Sequence, residues 1–266
     1  MPAPINTFKA AITNGQLQIG FWQSLATSVT AEISAYSGFD WLLIDGEHGV
    51  NDLRSIRDQL QVVNPSPSHA AVRISSVNVV EVKQVMDAGA QTILVPMVDT
   101  AEDAQLMARA LRYPPDGIRG NGVGVVRASA YGQTKGYLDN ANDEACLLVQ
   151  VETTLAIDNL DAICAVNGVD GVFIGPGDLA TSMGHIGNPA HPEVQEVIEA
   201  AILRIRANGK APGILMADET KVRRYIELGA LFVAVGSDVA MLGNGARYLA
   251  AKYLGGEGVD TKGKVY

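Results

Sequence analysis

Short apolar segments recur along this chain at regular intervals, and stretches with helical periodicity separate them. Eight such segments follow one another at residues 17–22, 41–45, 70–74, 92–96, 146–152, 171–175, 213–216 and 232–236. Helices are predicted between them, among others at 81–88, 193–208 and 219–228, and each of these three ends at a glycine suited to a left-handed cap. Alternating strands and helices with short connections predict parallel strands joined by right-handed crossovers.

Eight strand–helix repeats predict an α/β fold of the (βα)8 TIM barrel type. The 266 residues, of which 47% are hydrophobic, suffice for one large core, although two small domains would fit the length equally well. An open doubly wound sheet is the alternative, but no glycine fingerprint follows the first strand. We assign residues 1–254 to a single barrel domain with a last helix near 246–254, and residues 255–266 to an exposed C-terminal extension.

The interval from Thr100 to Glu144 interrupts this rhythm. A helix is predicted at 101–112, and a proline- and glycine-bearing segment follows it. A connection of this length on a barrel is typically a lid or a subunit contact. Its glycine-rich stretch at 120–124 neither follows a strand nor opens a helix, so we expect no dinucleotide site and no organic cofactor.

Composition and charge exclude several classes of partner. A net charge of −9 without a lysine or arginine cluster argues against nucleic acid and anionic membranes, and favours a small-molecule partner. Cys146 and Cys164 lack the close spacing of a disulfide framework or a zinc–thiolate site, which indicates a reducing, cytoplasmic compartment. No apolar run approaches the roughly 18 residues of a membrane span, and the amino terminus lacks the pattern of a signal peptide.

Two acidic residues follow neighbouring predicted strands. Glu152 ends the fifth segment, and Asp178 follows the sixth after a Gly-Pro-Gly turn. Because parallel strands meet at one barrel rim, this pair predicts a divalent metal site suited to hard ions such as Mg²⁺ or Mn²⁺. The alternative is structural: Asp178 would cap the following helix, and Glu152 would assist the cap at Thr153 or Thr154.

The second segment leads into three ionisable groups within four residues. His48 is the candidate base, and Asp45 or another carboxylate would fix its tautomer. Alternatively, Asp45 caps the next helix and His48 packs on the loop.

Two polar side chains lie within predicted core strands. Arg73, near the end of the third strand, is expected to bind a carboxylate or to stabilise an enolate oxygen; an internal ion pair with a rim acid is compatible with either role. Gln150 points to the same barrel face as Glu152, where it either binds substrate or fills a polar interior layer.

Four blocks of sequence together resemble the HpcH/HpaI aldolase family: WLLIDGEHG at 41–49, QTILVPMV at 91–98, YPPDGIRG at 113–120 and FIGPGDLATSMG at 173–184. The resemblance extends from Gly20 to Gly236. It implies a homo-hexamer, a trimer of dimers, in which the last helix is exchanged between subunits. It also implies a divalent metal, Mg²⁺, Mn²⁺ or Co²⁺, on Glu152 and Asp178.

The resemblance also implies roles for further residues. His48 would transfer a proton, aided by Asp87 reaching over from an adjacent subunit, and Arg73 would contact the pyruvate keto oxygen. Substrate-binding positions are Gln150, Gly175, Pro176, Gly177 and Leu215, with Met216 beside Leu215 in an apolar aldehyde pocket. Gly177 stands where many relatives have alanine.

The expected reaction is the reversible cleavage of 4-hydroxy-2-oxo acids into pyruvate, or hydroxypyruvate, and an aldehyde through a metal-stabilised enolate. A citrate-lyase-type enzyme acting on a coenzyme A thioester, or a non-catalytic binding barrel, are the alternatives. A Schiff-base mechanism would need a lysine inside the barrel, and no lysine is predicted in the carboxyl half of a strand. The native aldehyde, the metal and the pathway stay open.

Overall fold

A computed structural model describes residues 2–254 and contains eight parallel strands that close into a barrel. The strands are β1 (Gln18–Gln23), β2 (Trp41–Asp45), β3 (His69–Arg73), β4 (Thr92–Val95), β5 (Cys146–Val151), β6 (Gly171–Ile174), β7 (Ala211–Leu215) and β8 (Phe232–Ser237). Each strand pairs with the next, and β8 pairs with β1. The predicted TIM barrel is therefore confirmed. The largest displacement is at β7, which begins at Ala211 rather than at residue 213.

Helices connect the strands and cover the outside of the barrel. They are α1 (Thr7–Thr13), α2 (Ser28–Ala35), α3 (Leu53–Val63), α4 (Val79–Asp87), α5 (Ala101–Ala110), α6 (Tyr137–Glu144), α7 (Thr154–Asp158), α8 (Leu160–Cys164), α9 (Pro176–Ser182), α10 (Pro192–Ala207), α11 (Glu219–Glu227) and α12 (Asp238–Leu254). Polar side chains fix many of their starts: Asp52 accepts from the backbone of α3, Asn78 from that of α4 and Asp218 from that of α11.

Successive strand residues face two different cores. In β2, Leu42 and Ile44 pack outward against the helices, whereas Trp41 and Leu43 face the barrel interior. This follows from the two-residue side-chain period of a strand. The interior is rich in aromatic rings, and Gly20 leaves room for one of them, because a Cβ there would overlap the Trp41 ring.

Helix α1, which was not predicted from the sequence, plugs the amino-terminal end of the barrel. Its Phe8 ring packs edge-on against Phe232 at 5.9 Å and stacks on His69 at 5.5 Å. Asn6 caps the helix and also donates a hydrogen bond to Thr92 at the start of β4. The amino-terminal end of the barrel is thereby sealed.

The long connection between α5 and β5 lies at this same amino-terminal end. Arg127 donates hydrogen bonds to the carbonyls of Ala88 and Leu60, near the carboxyl ends of α4 and α3, at 2.8 and 3.4 Å. The connection therefore does not cover the rim of its own barrel, and a lid over that rim is excluded. A role as a subunit contact stays a prediction.

Helix α12 starts at Asp238, earlier than the predicted start near residue 246, and runs through Gly243 and Gly245. The Asp238 carboxylate accepts from the backbone N–H groups of Ser24 and Leu25, which joins the ends of β8 and β1. Residues 255–266, predicted as an extension, lie outside the described residues. None of the helices within 2–254 combines the length and the apolarity that crossing a membrane requires.

Candidate active site

Polar residues converge at the carboxyl-terminal rim of the barrel. Residues Asp45 and Arg73 are direct neighbours in the β2–β3 register, so their side chains leave the sheet together. The other members follow from β1, β5 and β6 and from the loop after β2: Trp22, Glu47, His48, Gln150, Glu152 and Asp178. The structure thus gathers at one rim all the predicted catalytic and metal-binding residues except Asp87.

Arg73 is buried and forms a two-point ion pair with Asp45. Its Nε donates to Asp45 Oδ1 at 2.9 Å, and its Nη2 donates to Oδ2 at 2.8 Å. The Trp22 indole supports both groups, since its Nε1 donates to Asp45 at 3.1 Å and its ring lies 5.1 Å from the guanidinium carbon. The internal ion pair considered from the sequence is therefore present, and it fixes the direction of the guanidinium.

The charges of this pair stabilise each other. Burial disfavours the ionised carboxyl of Asp45, but the hydrogen bonds and charge of Arg73 outweigh it and hold the pKa of Asp45 below its ordinary value. Burial likewise opposes the charge of Arg73, yet Asp45 and Glu47 raise its pKa. Both groups are consequently charged at neutral pH.

Glu47 links Arg73 to His48, a role that was not predicted for this residue. One carboxylate oxygen lies 2.8 Å from Nη1 of Arg73, and the other lies 3.5 Å from Nε2 of His48. Burial raises the pKa of Glu47; the charges of Arg73 and His48 oppose this, while Asp45 and Asp178 add to it. Its position between a buried strand end and a histidine is the signal that would have identified it.

His48 is exposed at the mouth of the site, with 63% of its side chain accessible. Asp45 contacts the backbone of His48 rather than fixing its ring, because Oδ1 accepts the His48 N–H at 3.2 Å and the Glu47 N–H at 3.0 Å. The side-chain amide of Asn51 donates a hydrogen bond to the Asp45 carbonyl at 2.8 Å and so links the two ends of the loop. The loop is therefore rigid at its base while the imidazole faces outward.

Glu152 is almost fully buried, and both of its oxygens accept hydrogen bonds. The backbone N–H of Met97 donates to Oε1 at 2.9 Å, and the amide of Gln150 donates to Oε2. Met97 adopts a left-handed φ of 52°, a conformation that costs on the order of 1 kcal/mol in a residue other than glycine. This strained turn aims the N–H at the carboxylate, a backbone contact that residue types do not reveal.

Asp178 lies exposed within the first turn of α9, four residues after the end of β6, so it belongs to the helix and not to the strand itself. The helix begins at Pro176 with Gly175 as its N-cap, and Asp178 is therefore not the cap that the structural alternative required. Gly175 permits the packing of Glu152, because a Cβ at this position would overlap its Oε2. The turn thereby brings Asp178 to the rim above the buried carboxylate.

The donor set fits a hard divalent cation. Burial raises the pKa of Glu152 despite the hydrogen bonds from Gln150 and Met97, and the nearby carboxylates of Asp178 and Glu47 raise it further. In addition, Oε1 of Gln150 is buried and has no hydrogen-bond partner within residues 2–254. Clustered carboxylates and an unpartnered carbonyl oxygen are ligands that Mg²⁺ and Mn²⁺ prefer.

The remaining predicted positions separate into two groups. Leu215 ends β7 at the same rim, and Pro176 and Gly177 open α9 beside Asp178. Asp87, by contrast, is the last residue of α4 and lies at the amino-terminal end of the barrel, just before β4. There its Oδ1 lies 2.7 Å from Nη2 of Arg119. Within one chain, Asp87 is thus remote from His48.

Comparison with known proteins identifies the family. The model of the HpcH/HpaI aldolase/citrate lyase family matches residues 18–245, and the chain belongs to this family. A hydroxypyruvate/pyruvate aldolase from Agrobacterium fabrum is 57% identical over 256 residues, 96% of each chain. A 4-hydroxy-2-oxo-heptane-1,7-dioate aldolase from Escherichia coli is 53% identical, with 98% of this chain and 99% of that protein covered.

A solved structure agrees with the fold. The crystal structure of an HpcH/HpaI aldolase/citrate lyase family protein from Burkholderia cenocepacia has a TM-score of 0.89 and 36% identity, and the match covers 93% of this chain and 98% of that one.

Proposed function

We propose that this protein is a metal-dependent aldolase that reversibly cleaves 4-hydroxy-2-oxo acids into pyruvate, or hydroxypyruvate, and an aldehyde. The aldolase names of relatives more than 50% identical over nearly the whole chain support this reaction. The main structural support for this reaction is the buried Arg73, which lies between Asp45 and Glu47. Glu152 and Asp178 lie at the same rim of the barrel. This arrangement offers a fixed cation beside a metal-binding carboxylate pair.

Glu152 and Asp178 would hold the divalent cation, and Gln150 would offer its unpartnered carbonyl oxygen. Mg²⁺, Mn²⁺ and Co²⁺ are the candidates, because these ions accept carboxylate and carbonyl oxygens. Such an ion would act as a Lewis acid on the keto group of the substrate.

Arg73 stabilises the negative charge that develops on the keto oxygen when the substrate carbon–carbon bond breaks. Two of its nitrogens donate hydrogen bonds to Asp45, and Nη1 lies 2.8 Å from Oε2 of Glu47, so the direction of the guanidinium is fixed. A guanidinium has five N–H groups, and Asp45 accepts from two of them, so donors remain for the substrate. Because the donors are fixed before the charge appears, little reorganisation is required during the reaction.

His48 moves the proton at the mouth of the site. Its imidazole is accessible to substrate, and a Glu47 carboxylate oxygen lies 3.5 Å from its Nε2. In cleavage, the residue takes the proton of the 4-hydroxyl group and returns a proton to the methyl carbon of the pyruvate product. Asp87 of a neighbouring subunit would complete this pair.

Leu215, Pro176 and Gly177 provide a weakly polar wall for the aldehyde. Apolar walls discriminate weakly by size. We therefore expect a broad range of aldehydes.

We further infer a homo-hexamer, a trimer of dimers, with α12 exchanged between subunits, in the cytoplasm. Helix α12 supports the assembly because it exposes large apolar side chains, such as Met241 at 67% and Tyr253 at 74%. Cys146 and Cys164 are buried free thiols, in keeping with a reducing compartment.

The test is pyruvate release from a panel of 4-hydroxy-2-oxo acids by chelator-treated protein, before and after addition of Mg²⁺, Mn²⁺ or Co²⁺. We expect no cleavage without metal, restoration by these ions, and loss of metal binding with an intact fold in Glu152→Ala. Borohydride added with pyruvate should leave no covalent adduct, since none of the eight described strands contains a lysine. Full activity of verified metal-free protein, or a reduced lysine adduct, would refute the proposal.

A further inference from the structure

The loop that joins α9 to α10 brings three potential metal ligands together, apart from the carboxylate pair of the active site. Ligand atoms of His185, His191 and Glu193 all lie within 4.8 Å of one another. Nε2 of His185 lies 2.9 Å from the Glu193 carboxylate, and the two imidazole rings stack with their centroids 3.6 Å apart. All three side chains are accessible from solvent.

The backbone of this loop is held in place without any ligand. The N–H of His185 donates to the Ala180 carbonyl at 2.8 Å, and the N–H of His191 donates to the Asn188 carbonyl at 3.1 Å. Gly184 and Gly187 adopt left-handed φ angles of 86° and 70°, which a side chain would resist. The two histidines are therefore brought together by the fold and not by chance contacts of mobile side chains.

We propose that His185, His191 and Glu193 form a second metal site, which takes one transition-metal dication of the Zn²⁺, Ni²⁺ or Cu²⁺ class. Two imidazole nitrogens and one carboxylate oxygen are a preferred ligand set of these ions, and water fills the remaining positions. The site differs from the Glu152–Asp178 pair in chemistry, because that pair offers only oxygen and suits harder ions. It is also independent of the proposed aldolase reaction.

The contacts that the ion must replace determine which ions bind. The His185–Glu193 hydrogen bond has to open, and one of the stacked rings has to turn about its Cβ–Cγ bond before both nitrogens face one ion. Mg²⁺ binds imidazole poorly and cannot compensate for these losses, whereas Zn²⁺, Ni²⁺ and Cu²⁺ bind it tightly. Glu193 in the first turn of α10 offsets the partial positive charge of that helix end.

Binding would join two elements that flank the active site. His185 follows α9, whose first turn carries Asp178, and Glu193 lies in the first turn of α10. An ion between them ties the end of α9 to the start of α10. We therefore expect the ion to raise the thermal stability of the protein, beyond any effect of Mg²⁺.

The experiment uses full-length, chelator-treated protein carrying Glu152→Gln and Asp178→Asn, so that the active-site carboxylates do not obscure the second site. Calorimetric titration with Zn²⁺ should show one equivalent bound that excess Mg²⁺ does not displace. Bound Cu²⁺ should give an electron paramagnetic resonance spectrum split by two nitrogens. Further substitution of His185→Asn or His191→Asn should weaken Zn²⁺ binding by at least about tenfold and remove the two-nitrogen pattern.

The variants separate metal binding from a purely structural role. His191 is the N-cap of α10, where its Nδ1 accepts the Glu193 N–H at 3.3 Å. Asparagine is a favourable N-cap, so His191→Asn preserves the start of α10, and its melting temperature in chelator should match that of the parent protein. Glu196→Gln removes an exposed carboxylate from the same helix outside the cluster, and should leave Zn²⁺ binding unchanged. Absence of tight Zn²⁺ binding in the parent, or a nitrogen signal that survives both histidine substitutions, would overturn the second site. Neither result depends on whether the aldolase proposal holds.

Discussion

Arg73 owes its fixed position to two carboxylates that bind different parts of its guanidinium. Asp45 occupies Nε and Nη2, and Glu47 approaches Nη1. A planar guanidinium can donate two hydrogen bonds to Asp45 while its third nitrogen lies beside Glu47, whereas the compact ammonium of lysine cannot. The shape of the arginine, and not only its charge, therefore determines the geometry of the rim.

Replacing Arg73 by lysine should lower turnover at saturating substrate by roughly tenfold to a hundredfold, because fixed donors to the developing oxyanion are lost. Steady-state pyruvate release measures this effect. Arg57→Lys is the control: Nε and Nη2 of Arg57 both donate to Oδ1 of Asp58 on the exposed surface, and the loss of this pair should leave turnover unchanged. An increase in KM alone would instead make Arg73 an anchor for the substrate carboxylate.

Gly175 and Gly177, two residues apart, allow a matched pair of alanine substitutions. A Cβ at Gly175 would overlap Glu152 Oε2 and lie 3.1 Å from the Gln150 amide, so Gly175→Ala should displace both and weaken Mg²⁺ binding by about tenfold or more. A Cβ at Gly177 would have no atom within 4 Å. Gly177→Ala should therefore keep Mg²⁺ affinity and stabilise α9 by up to about 1 kcal/mol.

Calorimetric Mg²⁺ titration and thermal melting distinguish the two variants. Equal metal affinities in both would show that Glu152 is not held as the structure indicates. A lower melting temperature for Gly177→Ala would show that position 177 is crowded by groups outside the single chain.

The sequence predicted the residues of the rim better than their contacts. Acids and an arginine at strand ends are visible as residue types, which is why Asp45, Arg73 and Glu152 were identified. The partners of each side chain depend on loop geometry: the turn after β2 directs Asp45 to the backbone of His48, and α9 starts two residues before Asp178. The Met97 N–H carries no side-chain signal at all.

Among the elements, the strands were predicted most accurately and the ends of the chain least. Strands that are buried on both faces have nearly continuous apolar sequences, so all eight could be predicted from the sequence. Helix α1 has only seven residues, too few for a clear helical period, and α12 contains two glycines that indicated a break. The connection at 111–136 has little regular structure, and its place at the sealed end follows from tertiary contacts of Arg127.

The α1 plug predicts a specific pH dependence of stability through His69. Burial under Phe8 lowers the pKa of His69 to about 4, from an ordinary value near 6.5. Because the unfolded chain binds this proton more readily, the contribution is fully present above pH 6.5 and is lost as the pH falls toward 4. Its size is at most about 3 kcal/mol, since His69 retains some exposed surface.

Glutamine at position 69 preserves a partner for Thr92, which accepts or donates a 2.8 Å hydrogen bond with His69, and removes the titration. We expect His69→Gln to lose less stability than the parent between pH 6.5 and 5, measured by denaturant unfolding. His48→Gln, at the exposed rim, serves as control. Identical pH profiles for His69→Gln and the parent would show that the ring is not desolvated.

At the scale of the whole molecule, several features point beyond the single chain. Helix α12 exposes apolar side chains, the His48 ring faces solvent, and Asp87 pairs with Arg119 away from the rim of its own barrel. A closed homo-oligomer would cover the apolar surface and allow Asp87 of one subunit to approach His48 of the next. We infer that the complete active site includes residues of two chains.

Subunit mixing tests this inference. His48→Ala and Asp87→Asn variants, each expected to have low activity alone, should regain activity when the two chains are co-assembled. If each site takes His48 from one chain and Asp87 from another, about a quarter of randomly mixed sites contain both native residues.

Mixing His48→Ala with Glu152→Gln is the control, because those two residues belong to the same chain's rim and no mixed site regains both. Recovery near a quarter in the first mixture and none in the second would support a shared site. Absence of recovery in the first mixture would assign Asp87 to its own chain, where it anchors the almost fully buried Arg119 and so acts on stability.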